Sequence, residues 1–273
     1  MSATVIKSIR DPRVAAYRRL IDRKSQPHAG RFIVEGKWLT QRLLASDYEV
    51  ESILTVEGHP LGVPPPDDIP VFVMPRGQLD DMVGFRFHRG VLACGLRRPS
   101  RPLNECLPDA PAAALVVICS AVSDPQNLGG ILRNCAAFGV DAVLLDRRCA
   151  DPLARRVVRV SMGAALQTNV CHSQSLDQDL RTLRERHHIH LVAAVADPAA
   201  PTLAEGVPAR RRALLFGNEG HGLDVALVKY CHETRTIPMR PGTDSLNVAV
   251  SCGIFLYHYG NKKKGNILED CSD

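Results

Sequence analysis

Ser245-Leu246-Asn247-Val248-Ala249-Val250, near the C-terminal end of the chain, is a polar turn that runs directly into apolar residues. Two glycine-rich turns lie upstream of it, Asp124-Pro-Gln-Asn-Leu-Gly-Gly130 and Phe216-Gly-Asn-Glu-Gly-His-Gly222, and each follows an apolar run. In parallel α/β sheets, ligands bind beyond the carboxyl ends of the strands. We therefore expect the three turns to meet in one site.

The chain around these turns alternates between short apolar runs and stretches of helical periodicity. Strands that are apolar on both faces and separated by helices predict a parallel sheet covered on both sides, an α/β fold. The predicted strands are 115–121, 142–146, 168–172, 190–195, 213–217 and 234–239. The predicted helices are 129–138, 151–160, 176–187, 224–231 and 246–259.

The N-terminal part of the chain predicts a second, smaller α/β domain. Its predicted strands are 31–36, 52–56, 71–74 and 90–95, and its predicted helices begin at Pro12, after Gly36 and at Gln78. Four prolines between Arg97 and Pro111 interrupt any periodic pattern and indicate a linker. The expected organisation is an N-terminal domain at 1–97, a linker at 98–112, a larger domain at 113–260 and a tail at 261–273.

Composition narrows the class of protein. The 273 residues are 45% hydrophobic, enough for a sizeable core, and the net charge of +5 is concentrated near the N-terminus. That asymmetry favours a polyanionic partner, although a solvated helix face would give the same pattern.

Nine cysteines without any CxxC spacing indicate reduced thiols and a cytoplasmic protein. No apolar run reaches the length of a membrane span, and the cluster His187-His188-Ile-His190 lacks the partners of a metal site.

The turns exclude two common nucleotide sites, because the chain has neither GxGxxG nor GxxxxGK[ST]. Taken singly, each turn could be no more than a tight connection between a strand and a helix. Their polar side chains favour a functional site instead. These are Asn127, Arg133, Asn218, Glu219, Ser245 and Asn247.

Three long segments resemble the motifs of the SpoU/TrmH class of SPOUT RNA ribose 2′-O-methyltransferases. Residues 124–139 resemble the first motif, 217–223 the second and 237–250 the third, in the order and at the spacing of that family. The N-terminal part is similar to the ribosomal-protein-like substrate-binding domain of many members, through 32–36 and 88–93. The resemblance implies a trefoil knot in the C-terminal domain and a homodimer, to which the apolar helix 246–259 would contribute.

The resemblance also implies transfer of a methyl group from S-adenosylmethionine to a ribose 2′-hydroxyl. Arg133 would grip a phosphate and stabilise the developing oxyanion, since a guanidinium stays protonated and makes a poor base. Asn127, Glu219, Ser245 and Asn247 would hold Arg133 and the loops by hydrogen bonds. The implied cofactor contacts are Val195, Ala196, Gly217, Asn218, Ile237, Met239 and Leu246.

Several basic and aromatic residues predict contacts with RNA, because cations suit phosphates and aromatic rings suit unpaired bases. They are Arg10, Arg18, Arg19, Phe87, His88, Arg89, Arg155 and Arg159. A separate RNA-binding domain favours large-subunit ribosomal RNA over transfer RNA. Two alternatives stay open: an RNA-binding protein that has lost catalysis, and a nucleotide-dependent oxidoreductase or transferase on a doubly wound sheet.

Overall fold

A computed structural model describes residues 3–18, 20, 30–62, 64–240 and 242–260. By its internal contacts the chain divides into two units. Unit 1 comprises Met1–Pro99 together with Leu153–Gln167, and unit 2 comprises Ser100–Pro152 together with Thr168–Asp273.

Unit 1 is built on a mixed five-stranded sheet with the order β1-β4-β3-β5-β2. The antiparallel pairs are β2 with β5 and β3 with β5, whereas β4 pairs in parallel with both β1 and β3. The elements are β1 (Thr4–Val5), β2 (Arg31–Glu35), α1 (Lys37–Leu44), β3 (Val50–Val56), β4 (Val71–Met74), α2 (Arg76–Val83) and β5 (Val91–Leu96). The segment after Pro12 forms a 3-10 helix, Pro12–Tyr17, instead of the expected α-helix.

Unit 2 contains a six-stranded sheet, all parallel, with the order β11-β9-β10-β6-β7-β8. This confirms the α/β class and the parallel sheet. The strands are β6 (Ala114–Cys119), β7 (Ala142–Leu145), β8 (Val170–His172), β9 (His190–Ala194), β10 (Arg211–Phe216) and β11 (Glu233–Arg235). The helices are α3 (Pro125–Ala137), α5 (Leu176–Glu185), α6 (Val225–Val228) and α7 (Val248–Gly260).

Two expected domain boundaries differ from the observed units. The segment expected as a linker belongs largely to unit 2, because Cys106 and Leu107 pack into the core beneath its sheet. Helix α4 (Arg155–Val160), expected in the C-terminal domain, belongs to unit 1, where two of its arginines pair with Glu35 of β2. Apolar periodicity indicates that a segment is helical, but it does not indicate which of the two units the helix packs against. The expected tail, 261–273, lies outside the described residues.

The edge of the unit 2 sheet carries a pair of stacked histidines. The rings of His190 and His232 lie 4.5 Å apart, and His232 Nδ1 accepts a hydrogen bond from the Leu191 N–H at 2.9 Å. Burial, and next the charge of His190, lowers the pKa of His232 from its ordinary value of 6.5. As the pH falls, the unfolded chain therefore takes up this proton before the folded chain does. The free energy of unfolding should decrease below about pH 6.5 and be unaffected by this group well above it.

The substitution His232→Asn tests this dependence, because the Asn side-chain oxygen keeps an acceptor near Nδ1 while removing the titration. We expect the free energy of unfolding of the wild type to decrease more between about pH 7.5 and 5.5 than that of the variant. Urea denaturation at both pH values measures the difference. Equal decreases in the two proteins would show that His232 does not contribute.

Candidate functional site

The first motif turn begins helix α3. Asp124 caps the helix by accepting the Gln126 N–H at 2.8 Å, and Pro125 occupies the first helical position. Both residue types favour a helix start. The helix therefore begins four residues before the expected start at 129, and Asn127 lies in its first turn, beyond the end of β6.

The second motif turn is a tight hairpin at the end of β10. Asn218 N–H donates to the Gly222 carbonyl at 3.0 Å, and Gly222 N–H returns a bond to the Asn218 carbonyl at 2.9 Å. The Asn218 side chain accepts the Gly220 N–H at 2.9 Å and donates to the Ala121 carbonyl at 3.0 Å. One side chain thus fixes the hairpin and ties it to the loop after β6.

Three side chains link all three turns by hydrogen bonds. Asn247 Nδ2 donates to Asn127 Oδ1 at 2.8 Å, and Asn127 Nδ2 donates to Glu219 Oε1 at 2.7 Å. Asn127 is buried, so both bonds lie largely out of water. Asn247 Oδ1 also accepts the Ala249 N–H at 2.9 Å at the start of α7. The expected meeting of the three turns is observed.

Helices α3 and α7 approach closely next to this junction. Asn134, seven residues after Asn127 and therefore on the same face of α3, donates to the Ala249 carbonyl at 2.8 Å. A Cβ at Gly130 would lie 2.8 Å from the Ala249 Cβ, and one at Gly253 would lie 3.1 Å from Asn134 Nδ2. Sequence reasoning missed Asn134, although its seven-residue spacing from Asn127 was a visible signal.

A pocket of about 660 Å³ opens beside the junction, at the carboxyl ends of β9 and β10. All seven residues expected to contact the cofactor line it: Val195, Ala196, Gly217, Asn218, Ile237, Met239 and Leu246. Asn127, Glu219, Ser245 and Asn247 line it as well. His221 and Ser251 are further lining residues that the sequence analysis did not single out.

Arg133 departs from expectation. It is exposed on α3, does not line the pocket, and makes no hydrogen bond or ion pair with another described residue. The side chains of Asn127, Asn218, Glu219 and Asn247 bond to one another and not to Arg133, so the expected hydrogen bonds to its guanidinium are not observed. The reason is helical geometry: six residues beyond Asn127, Arg133 lies about 120° away around the helix.

The residues expected to contact RNA differ in how accessible they are. Arg10, His88 and Arg89 are exposed, as an RNA contact requires, and Arg19 lies outside the described residues. Phe87 is only 1% exposed and packs in the core of unit 1, so the expectation that it stacks on a base was wrong.

Three of the expected arginines are already engaged within unit 1. Arg18 donates to the carbonyls of Ile9 and Asp11, at 2.8 and 2.7 Å. Arg155 and Arg159 both pair with the buried carboxylate of Glu35, at 3.0 and 3.4 Å. A buried carboxylate needs such partners, so both arginines have a structural role that charge counting could not reveal.

Within the described ranges, no group of three or more His, Cys, Asp and Glu side chains is arranged to hold a metal ion. The eight cysteines in those ranges are free thiols. None of the helices there is long and apolar enough to cross a membrane.

Comparison with known proteins places this site in a family. The model of the SpoU rRNA methylase family matches residues 114–257. An uncharacterised tRNA/rRNA methyltransferase of Mycobacterium bovis is 36% identical over 259 residues, covering 90% of this chain and 88% of the relative.

Two solved structures are also similar. An RNA 2′-O ribose methyltransferase has a TM-score of 0.75 at 27% identity, covering 96% of this chain and 99% of the other. An S-adenosylmethionine-bound rRNA methyltransferase of Sinorhizobium meliloti shares the fold, with a TM-score of 0.76 at 21% identity over 95% and 98% of the two chains. A trefoil knot in the chain path stays a prediction. The family match covers all three motif turns and the sheet that carries them: this chain belongs to the SpoU rRNA methylase family of RNA methyltransferases.

Proposed function

We propose that this protein transfers a methyl group from S-adenosylmethionine to a ribose 2′-hydroxyl of RNA. The observation that carries the proposal is the hydrogen-bonded chain Asn247–Asn127–Glu219 at the mouth of the 660 Å³ pocket. It joins three turns that are distant in sequence and that all match one methyltransferase family. The similar RNA 2′-O ribose methyltransferase supports the choice of acceptor atom.

The pocket fits the proposed cofactor in size and lining. Its volume lies within the range usual for sites that hold ligands of this size. Apolar side chains at Ile237, Met239 and Leu246 suit an adenine ring, and the backbone at Gly217 can approach a ribose. When bound, S-adenosylmethionine supplies an electrophilic methyl group on a sulfonium. The Sinorhizobium meliloti neighbour, which has that cofactor bound, supports the assignment.

The chain's own polar groups would act on the RNA. A 2′-hydroxyl must lose its proton as the new bond forms, and positioning it beside the pocket supplies much of the acceleration. We assign Arg133 to an RNA phosphate and to the developing oxyanion, because its guanidinium is exposed and is not bonded to another described residue. The hydrogen bonds among Glu219, Asn127 and Asn247 hold the three turns in place. A water molecule or an RNA phosphate oxygen takes the proton.

Large-subunit ribosomal RNA is the proposed substrate, ahead of transfer RNA. Unit 1 has its own sheet and core and carries exposed cations such as Arg10 and Arg89, as a separate RNA-binding domain would. We also propose a homodimer in which α7 contributes. Val250 and Tyr257 lie seven residues apart on one face of that helix and are both exposed. The free cysteines fit a cytoplasmic location.

Labelling tests the reaction directly. The protein is incubated with S-adenosylmethionine labelled in its methyl group and with total ribosomal and transfer RNA, and the labelled nucleotide is then mapped. A methylated 2′-oxygen cannot attack the neighbouring phosphate, so the labelled position should resist alkaline cleavage. Label in ribosomal RNA at such a position supports the proposal. Label on a base or on protein would refute the proposed acceptor, and label in transfer RNA alone would refute the proposed substrate.

The substitution Asn127→Asp tests the hydrogen-bonded chain. It would replace the amide donor that lies 2.7 Å from the Glu219 carboxylate with a second carboxylate, and like charges at that distance repel. We expect the methyl-transfer rate at neutral pH to fall about 100-fold and to recover partly at lower pH, where the pair shares a proton.

A second substitution in the same pair serves as the control. Glu219→Gln, added to Asn127→Asp, restores one donor and one acceptor with the direction of the bond reversed. We expect the double variant to be more active than Asn127→Asp alone, and a double-mutant cycle on kcat/KM measures the coupling. Additive losses would contradict a direct interaction between Asn127 and Glu219.

A further inference from the structure

Trp38 is a prominent surface feature of unit 1. It is the single tryptophan of the chain, lies in the first turn of α1, and is 73% exposed. Leu39, Thr40 and Leu43 are the buried residues of this helix, so α1 packs through them and not through Trp38. A large aromatic ring left this exposed is costly in water and marks a contact site.

Two further residues extend the exposed surface around Trp38. Arg42 lies one helical turn after Trp38, on the same face of α1. Its guanidinium donates to the Met162 carbonyl, and a Cβ at Gly163 would lie 2.8 Å from the Arg42 Cδ. Met162 is 47% exposed and has a φ of 54°, a left-handed conformation that costs a methionine energy. Trp38, Arg42 and Met162 form what we call the Trp38 patch.

The border of the Trp38 patch is positively charged. Lys37 is exposed beside Trp38, and Arg89 lies against Gly36, where a Cβ would be 3.3 Å from the Arg89 Cδ. The carboxylate of Glu35, close by in sequence, is buried and paired with Arg155 and with a second arginine of α4. Its negative charge is therefore already compensated.

We propose that the Trp38 patch binds a single-stranded segment of the RNA substrate, with one unpaired base stacked on the Trp38 indole. Lys37 and Arg89 would contact the flanking phosphates, while Arg42 stays bonded to the Met162 carbonyl. Aromatic rings bordered by cations are how proteins hold unpaired bases. Lysine, which borders this ring as Lys37, is depleted at protein–protein contacts. The inference rests on the proposed function, because it assigns the patch to the same RNA.

The single tryptophan gives a direct measurement. The intact protein is titrated with a single-stranded RNA of about 12 nucleotides and mixed sequence, and with a fully paired duplex of the same sequence. Stacking should quench the tryptophan fluorescence with the single strand and much less with the duplex, whose bases are already stacked. No response to the single strand, or an equal response to both, would overturn the inference. A signal that follows protein concentration without RNA would assign the patch to a protein contact instead and would also overturn it.

Kinetics on substituted proteins provide a second measurement. Trp38→Ala should raise the KM for RNA about tenfold, equivalent to about 1.4 kcal/mol, with little change in kcat, because the variant loses the stacked base. Trp38→Phe keeps a ring and should stay within about threefold of the wild type. Val207→Ala truncates another exposed apolar side chain, in unit 2, and serves as a control that should leave KM unchanged. A KM for Trp38→Ala equal to that of the control would refute the proposal.

The two proposals can fail separately. If the wild-type protein methylates RNA but its fluorescence ignores the single strand, the inference about Trp38 fails and the proposed function stands. If the single strand quenches the fluorescence but no methyl group is transferred to any RNA, the Trp38 patch binds RNA and the proposed function fails.

Discussion

Arg133→Ala should abolish methyl transfer while leaving the fold and the cofactor affinity intact. Arg133 is exposed and makes no bond to another described residue, so its removal should shift the melting temperature by no more than about 1 °C. It does not line the pocket, so the Kd for S-adenosylmethionine should change less than about threefold. Loss of a cation that stabilises a developing oxyanion should lower kcat about 1,000-fold. Calorimetric titration and labelled methyl transfer measure the two effects.

Two further variants separate the role of Arg133 from charge alone. Arg186→Ala removes another exposed arginine of unit 2, just beyond α5, and should leave kcat unchanged. Arg133→Lys keeps the charge but loses the planar pair of donors that grips a phosphate, so its activity should lie between wild type and Arg133→Ala. A fully active Arg133→Ala enzyme would remove Arg133 from the mechanism.

The sequence was most informative where local chemistry determines structure. Apolar runs predicted every strand of the unit 2 sheet to within a few residues. The position of three turns at the ends of parallel strands predicted that they would meet. Strand β1 was missed, because two residues carry no periodicity. Helix α7 begins at Val248 instead of 246. Asn247 precedes the helix, and its side chain accepts the Ala249 N–H.

What the sequence could not reveal depends on contacts between distant residues. Phe87 alternates with cations as an RNA-stacking residue would, and only the packing of unit 1 shows that it belongs to the core. Arg155 and Arg159 carry the same formal charge as Arg10, but Glu35, more than 100 positions earlier, neutralises part of it. Trp38 shows the opposite case: large apolar residues are usually buried, yet this one is exposed.

Gly217→Ala should have the largest effect among single substitutions that leave the polar side chains of the site untouched. A Cβ at position 217 would lie 2.3 Å from the Gly222 carbonyl and 2.4 Å from the Leu223 nitrogen. Both are backbone atoms, so no side chain can rotate away to relieve the overlap. The hairpin must open, and the paired bonds between Asn218 and Gly222 at 3.0 and 2.9 Å must break. Glu219 then moves away from Asn127, and the pocket loses one wall.

The expected result is a higher Kd for S-adenosylmethionine and methyl transfer at least about 100-fold slower, because misplacing the reacting groups by about 1 Å is enough for a loss of rate of that size. Overpacking of this kind costs 1–3 kcal/mol, so the melting temperature should fall by about 5 °C. Gly220→Ala is the matched control in the same hairpin: its Cβ would meet only Asn218 Oδ1, at an ordinary 3.5 Å, and its melting temperature should stay near that of the wild type. Binding and melting measured on both variants decide the matter. Wild-type cofactor affinity in Gly217→Ala would mean that the pocket does not depend on the closed hairpin, and the cofactor site would then have to lie elsewhere in unit 2.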